Sequence, residues 1–149
     1  MKNHSELQKE IAASTVNLAQ SMVTKTDAYL NSFNTKAILT FSKEKSRIEE
    51  YTEKYFLFLS GLDGEVRALT DLNAALASLL IEADKHMEID VVVLAEKRLY
   101  AFDDFEHDLY NYTSSSEEAL LGECATASFL VNNTQKFKEA LKKLICANT

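Results

Sequence analysis

Asp103, Asp104 and His107 are the residues whose types and spacing come nearest to doing chemistry. His107 follows Asp103 by four residues and Asp104 by three, with Asp108 beside it. On a helix the three can share a face, a spacing that suits a metal-ligand set. A di-metal carboxylate bundle needs more, namely Glu-x-x-His on two helices and a glutamate on two others. Asp104-Phe105-Glu106-His107 is the one comparable unit, and it has Asp where Glu is required. His86 stands four residues after Glu82, but Ala83 fills the matching position, and His4 is terminal. A haem pocket would rest on His86 alone. The reading adopted is a solvated acidic helix face, with no metal or cofactor.

Cys124 and Cys146 sit at apolar-periodic positions with no histidine nearby in sequence, so they read as core thiols and not as nucleophiles. On one continuous helix they would stand about 33 Å apart at 1.5 Å per residue, far beyond disulfide reach. Two unbridged thiols point to a reducing compartment. The chain has no glycine-rich phosphate loop, no H-E-x-x-H and no basic helix suited to a DNA groove. Nothing marks it as an enzyme.

Charge and aromatic content are what remain. The chain carries 23 acidic and 16 basic side chains, a net charge of −7. Most of the surplus is local, since residues 82–123 hold 12 acidic and 3 basic side chains. Such a balance disfavours nucleic acid and anionic membranes, which need surplus Lys and Arg. It suits a partner protein with a basic surface. Asp103, Asp104, Glu106 and Asp108 are the candidate partner-binding patch. The expectation is a non-enzymatic protein–protein interaction module, such as a small acidic regulator, an inhibitor or immunity-type protein, or an effector domain. The alternative is a bundle that binds a small apolar ligand or lipid between its helices. Its candidate pocket is aromatic: Tyr55, Phe56, Phe58, Phe102 and Phe105. Sustained apolar stripes also leave a homodimer open.

These residues need elements to position them. Three glycines, no proline and no tryptophan argue against a sheet protein, which needs turn residues at every hairpin. At 149 residues the chain reads as one domain spanning 1–149. Apolar residues recur at gaps of four and three through Val66, Leu69, Leu76, Leu80, Ala83, Met87, Val91 and Leu94, a helical period. The fold class is all-α, an antiparallel bundle of four to five long helices, with three very long helices as the alternative.

The first segment runs from Ser5, its expected cap, to Phe33, with a break over Asn31–Thr35. The second runs from Lys36 to Ser60. Gly61-Leu62-Asp63-Gly64 reads as the clearest turn, closing a helical hairpin with Asp63 capping the next helix. The third segment continues through Ala83, where Asn73 interrupts the apolar stripe. A kink or short loop is expected at Met87–Asp90. The fourth segment ends near Tyr112, followed by a polar loop over Asn111–Ser116. Ser114 or Ser115 with Glu117 or Glu118 forms a capping box for a last helix ending near Cys146. No signal peptide is visible, and no apolar run approaches the ~20 residues of a spanning helix. The expected location is cytoplasmic, unless export follows a route without such a signal.

Overall fold

Asn3 opens the first helix. Its side-chain oxygen accepts the Glu6 N–H at 2.8 Å, so the cap falls at Asn3 and not at Ser5. The computed structural model describes residues 2–33 and 40–149. Helix α1 runs His4–Asn31, α2 Phe41–Ser46, α3 Ile48–Lys85, α4 Ile89–Leu121 and α5 Ala127–Ala147. All described regular structure is helical, and the four long helices form the bundle. The expected break at Asn31–Thr35 is met by the end of α1 at Asn31. Residues 34–39, including Asn34 and Ile38, lie outside the described residues.

Each long helix buries a face that repeats at gaps of four and three. In α3 these residues are Tyr51, Tyr55, Phe58, Leu62, Leu69, Leu76, Leu79 and Ala83. The register runs without interruption through Gly61–Gly64, so the expected hairpin there is overturned. Leu62 is 1% exposed at a core position of that register, and its burial is worth about 1.5–3 kcal/mol. A turn would forfeit that burial and the packing on either side. Both glycines have negative φ, and a Cβ at either would meet no heavy atom within 4 Å. They are ordinary helical residues that lower helix propensity. Gly61→Ala with Gly64→Ala is therefore expected to raise the unfolding free energy by about 1–2 kcal/mol. Urea unfolding checks this, and a loss of stability would contradict an uninterrupted α3.

The turns fall elsewhere, and they share one design. Met87 and Glu123 each adopt φ 55. Glu88 N–H reaches back to Ala83 C=O at 3.0 Å, and Met87 N–H to Asp84 C=O at 3.1 Å. Cys124 N–H reaches Ala119 C=O at 3.0 Å, and Glu123 N–H reaches Leu120 C=O at 3.2 Å. Both are Schellman closures with a left-handed residue after the last helical turn. The first agrees with the break expected near Met87. The second replaces the loop expected at Asn111–Ser116, which is helical in α4. Tyr112, Ser116 and Ala119 continue the buried face of α4 through that stretch. Asn133 on α5 donates to Ser116 Oγ at 2.9 Å and gives the buried hydroxyl a partner. These two turns also exclude the three-helix alternative.

α3 packs between α1 and α4, and α5 closes the ring between α4 and α1. Lys25 of α1 bonds Gly61 C=O at 2.7 Å and pairs with Glu65 at 2.5 Å, while Lys138 of α5 pairs with Asp27 of α1 at 2.6 Å. The core is aromatic toward one end: Tyr29 stacks on Phe58 at 4.3 Å, and Tyr112 on Phe137 at 4.8 Å. Glu44 of α2 ties this end together. It accepts from the Tyr51 hydroxyl at 2.6 Å and from the Ala127 N–H at 3.2 Å, placing a carboxylate at the N-terminus of α5. No described helix is long and apolar enough to cross a membrane.

A candidate partner-binding groove

Helix α4 carries eight acidic residues, of which Asp90, Glu96, Asp103, Asp104, Glu106 and Glu118 are exposed. None of its carboxylates enters an ion pair among the described residues. Asp104 and Asp108 stand one turn apart, so like charges face each other along the helix and cost a few tenths of a kcal/mol. The four residues of the expected patch do not form one surface. Asp103 and Asp104 point to solvent, Glu106 lies on the side toward α3, and half-buried Asp108 lies on the side toward α5.

The α3 side is the more distinctive. Leu59, Leu62 and Val66 of α3 face Phe102, Phe105 and Leu109 of α4 across a groove of about 360 Å³. Asp63 and Glu106 also line it, and no lysine or arginine does. From Leu59 to Thr70 it follows α3 for about 16 Å at 1.5 Å per residue, or about three helical turns. Apolar floor and acidic rim come from two helices whose contributing residues are some 40 positions apart. Nothing local in the sequence brings them together, and by its position beside Gly64 Asp63 reads as a helix cap.

The expected aromatic pocket is split by the same geometry. Phe102 and Phe105 line the groove. Tyr55 is fully buried in the core and meets Tyr112 edge-on at 6.1 Å, and Phe58 turns toward α1 to stack on Tyr29. Phe56 is exposed. The Tyr29 and Tyr55 hydroxyls are buried without a hydrogen-bond partner among the described residues. Burial raises both of their pKa values, and it pushes Tyr112 up to about 12 against the Thr134 and Ser116 hydrogen bonds that lower it.

On the opposite side of α4, Asp108 borders a second recess of about 430 Å³ together with Glu139, Lys136 and Lys143. Its two acids and two lysines balance, so it selects neither sign of charge. Asp103, Asp104 and His107 gather no further ligand. Among the described residues no three His, Cys, Asp or Glu side chains stand close enough to hold a metal ion. His86 is exposed in the α3–α4 turn. Both cysteines are exposed and free, contrary to the core position expected for them. Cys124 falls in the α4–α5 turn, and Cys146 lies on the outer side of α5. Compared with family models, curated proteins and solved structures, the chain matches none.

Proposed function

We propose that this protein is a non-enzymatic interaction module that docks a basic, partly apolar segment of another protein in the α3–α4 groove. The observation that carries this reading is the pairing of an apolar floor with an acidic rim that no described cation neutralises. An apolar segment gains by covering half-buried Leu59, Val66 and Leu109, which stand over the buried side chains of Leu62, Phe102 and Phe105. Lysines or arginines flanking that segment meet Asp63 and Glu106, and then the wider acidic surface of α4. Binding relieves the self-repulsion of that surface, which speeds encounter and selects against acidic partners. The length of the groove fits about three turns of an amphipathic helix, a common mode of peptide recognition.

Affinity capture from an extract of the native host, at low salt, tests the reading. The expected result is one stoichiometric partner, released as salt rises, and not retained by the Asp63→Lys/Glu106→Lys variant. Equal capture by the variant would remove the groove from the account. Recovery of a lipid or small apolar molecule in place of a protein would favour the ligand-binding alternative, with the same floor as its site.

A further inference from the structure

Tyr110 of α4 is 68% exposed, yet it stands in the wall of the α3–α4 groove. Core packing does not account for it, because a side chain so exposed gains little from burial. Glu106 precedes it by four residues and Thr113 follows it by three, so the three share the edge of α4 that borders the groove. On the facing helix, Asp63 shares an edge of α3 with Leu59, Val66 and Thr70 by the same kind of spacing. An aromatic ring therefore stands one helical turn from one carboxylate, with a second carboxylate on the other wall.

Among the described residues, none of the three is engaged by the chain's own charges or rings. Asp63 and Glu106 enter no ion pair there. Arg67, one turn beyond Asp63 on α3, is exposed, pairs with no described carboxylate and does not line the groove. Tyr110 packs on no other described ring. The described cation–π contact lies elsewhere, with Lys54 Nζ 5.5 Å from the centre of the Phe33 ring. One incoming group can therefore meet the π face and both carboxylates.

We propose that Asp63, Glu106 and Tyr110 form a seat for an arginine side chain of the docked partner, in preference to lysine. This seat rests on the groove reading above and specifies which cation its rim takes. A lysine ammonium is a compact, strongly hydrated charge, and exposed carboxylates compensate it poorly for lost water. A guanidinium is planar and more weakly hydrated. One of its faces lies on the Tyr110 ring while its edge donates to Glu106 in a forked pair. Asp63, on the far wall, adds attraction. Half-buried Leu109 meets the apolar stem of the arginine. Both kinds of cation are drawn to the carboxylates, so the ring supplies the discrimination.

NMR titration of the full chain with N-acetyl-arginine methylamide and, separately, N-acetyl-lysine methylamide tests this at constant ionic strength. The signals followed are the Glu106 backbone amide and the Leu109 methyls. Saturable shifts are expected, with the arginine probe binding about threefold tighter, the size of an exposed cation–π contact. Tyr110→Leu should erase that difference, and Tyr110→Phe, which keeps the ring, should retain it. Tyr110 is exposed, so both variants should fold as the parent chain does. Equal affinity for the two probes, no saturation with either, or a preference that survives in Tyr110→Leu would overturn the seat. Affinity capture separates this failure from that of the groove. A partner lost by Asp63→Lys/Glu106→Lys but held fully by Tyr110→Leu overturns the seat and keeps the groove. A partner held fully by both variants overturns both.

Discussion

Phe137→Ala is expected to lower the unfolding free energy by about 3–5 kcal/mol. Phe137 is 1% exposed and lies where α4 and α5 meet, stacked on Tyr112 at 4.8 Å with its plane tilted by 11°, and 6.1 Å from Phe105. Truncation removes the apolar transfer gain and leaves a cavity that the surrounding side chains close only in part. Tyr112 also holds Thr134 through a hydroxyl contact at 2.9 Å, so loss of the stack disturbs a buried polar pair. Against a typical domain stability of about 5–15 kcal/mol, this is a large fraction. Chemical unfolding monitored by circular dichroism gives the value. A cost below about 1 kcal/mol would mean that α5 does not pack on α4 as described.

The second large effect concerns binding. Asp63→Lys with Glu106→Lys should reduce affinity for the basic partner by roughly thirtyfold, about 2 kcal/mol. Each exposed rim charge is worth only a few tenths to about 1 kcal/mol, but reversal replaces attraction with repulsion at both sides of one groove. Asp63 and Glu106 are exposed and form no ion pair among the described residues, so stability should change little. The effect should appear mainly in the association rate and shrink at high salt. Calorimetry at two salt concentrations, with unfolding of the same variant as control, separates the terms. A matching loss at Asp84→Lys, away from the groove near the end of α3, would show that only overall charge matters.

The fold class was legible because the apolar period of α3 and α4 is long and because sheet-forming turns are scarce. The turns were less so, and glycine was the reason. Gly61 and Gly64 lie inside a helix, while the two left-handed positions are filled by Met87 and Glu123. Tertiary burial of Leu62 outweighs the local glycine signal, and Schellman hydrogen bonds hold two residues that rarely choose that conformation. The serine run at Ser114–Ser116 misled in the same way, because Ser116 is a buried residue with a partner on α5. The core face of α1 was hidden by composition. It runs Gln8, Ala12, Thr15, Ala19, Met22, Thr26 and Tyr29, a regular spacing written mostly in small and polar side chains. Leu7, Ile11 and Leu18 stand one position away, exposed or half-buried, so the large apolar side chains of the N-terminal half mark the wrong face, while Met22 and Tyr29 mark the right one. Thr15 and Thr26 satisfy their own hydroxyls by donating to the carbonyls of Ile11 and Met22, which lets them sit in the core.

The site was legible only in its ingredients. Acidic residues on α4 and aromatic residues on α3 and α4 were visible, but their division between groove, core and solvent depends on which helices are neighbours.

The most direct test of the groove is methyl NMR of the protein titrated with the docking segment of its captured partner. Leu59, Val66 and Leu109 should show the largest shifts, with saturation at one equivalent, while Leu141 and Leu144 in the core change little. Largest shifts at Ile89 and Val93 on the exposed side of α4, or along α5, would place the partner elsewhere and contradict the assignment of function to the α3–α4 groove.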